Sequence, residues 1–272
     1  AFLLNRSSDL SFVKETNIAD GATLNNEGRI KSGTNNKINV ADTGTLNNNE
    51  TGAIGADIIN DGTVNNAGTI TNNSSITNND TLNNTGEIAA KSIVNNGTIE
   101  NDGIITKKSS ITNNDTLNNN AGAIIGADID NYGVVNNEGK INKNSDIANN
   151  AGGVINNTGA GLIEGAITNA GADNTDPDNP IAAAVLNTTA SGITGSVTND
   201  GVTNLNDGDG TQGALGTAIA NGTAGTGVTN VAGAIDTNGK DITQDTVNIG
   251  ASSSDDDGTN PTVATGSLTN DA

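Results

Sequence analysis

Between Thr63 and Ile88 one large aliphatic residue returns at every sixth position: Val64, Ile70, Ile76, Leu82 and Ile88. Two asparagines usually follow it, then a small or turn-forming residue, as in TVNNAG, TITNNS, SITNND and TLNNTG. An amphipathic helix needs apolar residues every three to four positions, and a half-buried strand every second one. A six-residue step fits neither alone. It fits a short strand followed by a tight turn, repeated many times, which is the signature of a solenoid.

Composition narrows the choice further. The chain has 272 residues and a net charge of −20, with Phe2, Phe12 and Tyr132 as its only aromatics and no Trp, Met, Cys or His. A compact globular domain of this length buries several aromatic rings, so the core here is thin and aliphatic. Low hydropathy with high charge is also the composition of disorder, but a disordered chain has no reason to keep a six-residue register. The absence of Cys excludes disulfides and thiolate metal sites. The absence of His removes the commonest general base. No apolar run is long enough to cross a membrane. The strong acidity argues against nucleic acid and against anionic lipid as partners.

A longer repeat overlies the short one. SSITNNDTLNN occurs at Ser74–Asn84 and again at Ser109–Asn119, a shift of 35, and TLNNNETGAIGADI at Thr45–Ile58 returns as TLNNNAGAIIGADI at Thr116–Ile129, a shift of 71. Units of 35 correspond to two coils of about 18 residues, and three six-residue sides make each coil triangular. The expected fold class is therefore all-β, a parallel β-solenoid (β-helix) of about 18 residues per coil, with its handedness left open. Eight or nine coils at ~4.8 Å give a rod of roughly 40 Å for the regular part. The apolar residue points inward. The asparagines stack from coil to coil in amide ladders and, being tolerant of left-handed backbone, serve the corners. The step slips to seven from Leu117 to Ile124 and from Ile147 to Val154, beside Ala121-Gly122 and Ala151-Gly152-Gly153, where a bulge or a wider corner absorbs the extra residue.

Three sections follow in order. Residues 1–16 lack the NN motif and hold Phe2, Leu3, Leu4, Leu10, Phe12 and Val13, the candidate assembly residues. Such a segment is either a cap over the open end of the solenoid or a donor strand for the next subunit. Residues 17–170 are the regular Asn-rich solenoid. Residues 171–272 are a looser acidic section, where AITNAG, SVTNDG, GVTNVAG and GSLTND keep the motif and Ala172–Pro180, Asp207–Gly213 and Ser252–Pro261 read as inserted loops. The opening Ala-Phe-Leu-Leu reads as a secretory signal's cleavage product.

The chemistry on offer is sparse. Asp173, Asp176 and Asp178 in D-N-T-D-P-D, and Asn206, Asp207 and Asp209 in N-D-G-D-G, are oxygen-rich loops of the kind that suit calcium. Neither has the EF-hand spacing, and the plainer reading is a solvated acidic loop. No cofactor is required. Paired carboxylates on a β-helix can cleave sugars, but the aromatic and basic groups that hold such substrates are missing, so no enzyme is expected. Thr63, Thr69, Thr81, Thr98 and Thr116 flank inward aliphatics without the TxT spacing of an ice-binding face, and β-propensity accounts for them.

The phrase TLNNxGxI, as at Thr81–Ile88, resembles repeats of the large secreted adhesins of Gram-negative bacteria, the autotransporter and filamentous-haemagglutinin-like group. The resemblance covers residues 20–170 best. It implies a secreted β-helix rod at the cell surface, used for attachment or for building a matrix. The six-residue step also resembles left-handed β-helix acyltransferases, whose catalytic His this chain lacks. The expected function is a non-enzymatic, extracellular structural protein whose partner is itself, forming filaments head to tail. The alternative is an adhesin stalk that binds surface glycans through loops of its second half.

Overall fold

A computed structural model describes residues 3–6, 15–31, 36–71, 73–206, 213–250, 253–254, 261–262 and 267–269. The described residues form no helix. They form a parallel β-solenoid of about 12 turns. Two long sheets, of thirteen and twelve strands, make two sides of each coil, and a narrow eight-stranded sheet of two-residue strands makes the third. Neighbouring strands in all three sheets are parallel, and register follows the repeat: Leu46, Val64, Leu82, Ile99, Leu117 and Val135 stack in the first long sheet. Ile58, Ile76, Ile93, Ile111 and Ile129 stack in the second, and Ile54, Ile70, Ile88, Ile105, Ile125 and Ile141 in the narrow one.

The six-residue step works because strand residues alternate in facing. In TLNN strands the burial pattern is half-buried, buried, half-buried, buried. The aliphatic and the second Asn thus face inward, and Thr and the first Asn face out. Three aliphatic columns fill the interior, each side chain packed on its counterpart one coil away and most of them fully buried. Each coil closes its core only against its neighbours, as repeat architectures require.

Two expectations need correction. The NN pair is not a left-handed corner. Both asparagines complete the strand, and the one non-glycine residue with positive φ among those described is Asn238, far from the NN steps. The corner falls to the residues after the pair. The slips are also larger than seven. The inward residues are Ile125 and Ile155, not Ile124 and Val154, so the step from Leu117 and from Ile147 is eight. An odd insertion would turn every later side chain of that strand to the other face, whereas an insertion of two preserves parity. The extra residues are absorbed at Gly122 (φ 88°) and Gly152 (φ 82°), in the turns that the sequence marks.

After Ile163 the architecture loosens. The narrow sheet ends, and a three-stranded sheet of Gly213–Ala214, Ala234–Asp236 and Ser267–Thr269 follows. The loop through Ala172–Pro180 is an excursion between two coils whose register partners, Ile155 and Leu186, are 31 residues apart. Of the other two expected loops, residues 207–212 and most of 252–261 lie outside the described set.

Candidate functional site

What the fold builds among the described residues is a stack with two long polar spines. From the strand Thr23–Asn26 to the strand Val154–Asn157 of the first sheet, the inward Asn donates through Nδ2 to Oδ1 of its counterpart in the next coil. The spine runs from Asn26 through Asn48, Asn66, Asn84, Asn101, Asn119 and Asn137 to Asn157, at 2.7–2.8 Å per step. A second spine in the second sheet runs from Asn60 through Asn78, Asn95, Asn113, Asn131, Asn149 and Asn169 to Asn199. The remaining Nδ2 hydrogen goes to main-chain carbonyls at the corner, as from Asn113 to Asp115 and Val134. These amides are buried, and a buried amide is tolerated only when its bonds are made. Here the stack itself makes them.

The spines have ends. Asn26 Oδ1 is buried and has no partner among the described residues. The strand register places Arg6 over Asn26. At the other end Asn157 donates to Thr188 Oγ1. Beyond that the same column holds Leu205 and Val231, while the aliphatic column holds Thr203 and Thr229, each with an unpaired hydroxyl. The polar spine of the first sheet therefore stops at Thr188, some way past the sequence boundary at residue 171. The second spine continues to Gln244.

The acidic loop holds its own shape. Asp173 Oδ1 accepts from the Thr175 N–H (2.9 Å) and hydroxyl (2.7 Å). Asp176 accepts from the Asp178 N–H (3.1 Å) and from Asn179 Nδ2 (3.0 Å). Both carboxyls are held below the usual carboxylate range, Asp173 by the Thr175 hydroxyl first and Asp176 by the Asn179 amide first. Hydrogen bonding to the charged form is what lowers them. A lowered folded value means that the turn gains stability above the ordinary carboxylate range and loses it as pH falls through the folded value. In an NMR titration both carboxyls should protonate below the ordinary Asp midpoint. A midpoint at or above it would mean that the bonds are not made in solution. Asp178 shares the loop, while Asn206 ends the strand Val202–Asn206, and Asp207 and Asp209 lie outside the described residues. Among the described residues no three acidic side chains come together in a metal-holding group.

Of the candidate assembly residues, Leu3 and Leu4 lie on the strand Leu3–Arg6, which pairs in parallel with Thr23–Asn26 of the same chain as the first strand of the thirteen. Phe2, Leu10, Phe12 and Val13 lie outside the described residues. At the far edge of that sheet, on Thr246–Ile249, Val247 and Ile249 are 37% and 52% exposed. Sequence reading missed a second feature, a sorting of charge by edge. One signal was available: Lys91 and Lys108 differ by 17 residues and Lys107 and Lys143 by 36, about one coil and two.

Comparison with protein-family models, with curated proteins and with solved structures gave no match.

Proposed function

We propose that the chain is a non-enzymatic, secreted structural subunit that assembles head to tail into an extracellular fibre or surface filament. The observation that carries this reading is the all-parallel, in-register stack, whose first long sheet has, among the described residues, the edge strands Leu3–Arg6 and Thr246–Ile249, the second with Val247 and Ile249 exposed. An unpaired parallel edge is a template for another strand, and two unlike ends that fit each other make a heterologous, non-closing contact, which generates filaments. The acidic surface keeps fibres soluble and apart, and divalent cations, calcium first, bridge them through loops such as Asp173–Asp178.

Negative-stain electron microscopy of the purified chain, with and without millimolar Ca²⁺, tests the proposal. Long unbranched filaments of constant narrow width are the expected result. Isolated short rods in both conditions would overturn it in favour of an adhesin stalk, for which a glycan screen is the next step. Deleting residues 1–16 should abolish the polymers and leave the β-sheet circular dichroism intact. Loss of the β-sheet signal would instead assign that segment to capping its own stack.

A further inference from the structure

The charges of this acidic chain are sorted along the rod. Asp42, Asp61, Asp80 and Asp115 lie on the edge between the second and first long sheets, whereas Lys31, Lys91, Lys107, Lys108 and Lys143 lie on the edge between the narrow sheet and the second long sheet. Between Lys107-Lys108 and Lys143 the basic edge is interrupted by a coil without a lysine. On either side of it the corner takes six residues between inward isoleucines, from Ile105 to Ile111 and from Ile141 to Ile147. The coil between them crosses from Ile125 to Ile129 through Gly126 and Ala127, two residues fewer. A slot of about 240 Å³ opens there, lined by Gly126 of the short coil and by Thr106, Lys107, Asn142 and Asn144 of its neighbours, with Ile104 and Ile124 alongside.

Three further observations mark the slot as more than a gap. Thr106 Oγ1 and Ser109 Oγ, on either side of Lys107-Lys108, are buried without a hydrogen-bond partner. The equivalent Ser74 and Ser145 donate to the carbonyls of Ile54 and Ile125, so unpaired hydroxyls are the exception at this corner. Ile104 is 45% exposed in a chain that buries most of its large aliphatics. The corner stays net positive: Glu164 pairs with Lys140 at 2.9 Å, and the exposed Asp128 and Asp146, which also lie here, are outnumbered by Lys107, Lys108 and Lys143.

We propose that this slot binds one extended strand of an acidic polysaccharide. Lys107, Lys108 and Lys143 hold its carboxylate or sulfate groups, and Ile104 and Ile124 meet the C–H face of the sugar. Width decides the class. The flanking corners are two coil rises apart, ~9.6 Å, so the missing corner leaves about one chain thickness, ~5 Å. That admits an extended chain and excludes a duplex. Single-stranded nucleic acid binds through stacking on aromatic rings, and no aromatic residue lines the slot. The 71-residue repeat supplies a second short corner, from Ile54 to Ile58 through Gly55 and Ala56, four coils away along the same edge.

Calorimetry of the full chain at low ionic strength tests the proposal, with a galacturonate hexamer and a sulfated hexasaccharide as probes. A neutral glucan hexamer, oligothymidylate and inorganic sulfate are the comparison arms. Binding of an acidic hexasaccharide is expected, with at least a tenfold loss in the triple variant Lys107→Ala, Lys108→Ala, Lys143→Ala. A two-residue insertion between Gly126 and Ala127, which gives this corner the length of its neighbours, should cause a similar loss. The lysine variant changes only exposed side chains and decides the matter if the insertion fails to fold. No binding of either acidic hexamer, or unchanged binding by the lysine variant, would overturn the proposal. So would equal binding of oligothymidylate, or competition by sulfate at the same concentration. The result does not depend on whether the chain polymerises.

Discussion

Replacing Asn113 by Ala should destabilise the solenoid by about 3–5 kcal/mol, read as a lower urea midpoint with the slope unchanged. Asn113 is fully buried in the middle of the second spine. Its Oδ1 accepts from Asn95 at 2.8 Å, and its Nδ2 donates to Asn131 at 2.8 Å and to the main-chain carbonyls of Asp115 and Val134. Truncation leaves a buried donor on Asn95 and a buried acceptor on Asn131, each unpaired at about 1–3 kcal/mol. Asn83→Ala is the control. Asn83 faces outward and is half-buried, and it donates to Asn65 at 2.8 Å where water can substitute. Its loss should cost under about 1 kcal/mol. Equal effects at the two positions would show that the inner spine contributes no more than a surface ladder.

The second large effect is steric. Gly52, Gly68, Gly86 and Gly103 stack at the edge between the first long sheet and the narrow sheet. A Cβ on Gly103 would collide with the Gly86 carbonyl oxygen and lie 2.7 Å from the Thr85 carbonyl carbon. These are main-chain atoms of the preceding coil, fixed by the Ile104 N–H donating to that same Gly86 oxygen at 2.9 Å. Separating the coils would break the ladder on both sides, so relief is local unstacking. Gly103→Ala is therefore expected to cost about 3 kcal/mol, at the upper end for overpacking, with hydrogen exchange accelerated around this edge first. Gly122→Ala gives the contrast. No atom lies within 4 Å of its Cβ position, and the strain comes from φ 88° alone, worth about 1–2 kcal/mol. If Gly122→Ala proved the more damaging, close coil contact would not be what requires the glycine column.

The three-sided parallel coil of about 18 residues was legible in the sequence, because a six-residue step is a local property: one inward aliphatic, one strand, one corner. Stacking of the asparagines was legible for the same reason, since residues a whole coil apart fall over one another once the period is known. The sites of the slips were legible too, because glycine marks the turns at Gly122 and Gly152. Which residue points inward at those slips was not. Ile124 and Ile125, or Val154 and Ile155, are equally apolar, and only pairing with the neighbouring coil chooses between them. For the same reason only the structure showed that the second Asn of each pair forms the buried spine and that the spine gives way at Thr188. The basic edge and its slot are tertiary as well. Lys91, Lys107, Lys108 and Lys143 are scattered over some fifty residues of an acidic chain. Closure of the coil brings them onto one line, and the two-residue difference between adjacent corners, invisible until the corners are stacked, opens the space between them.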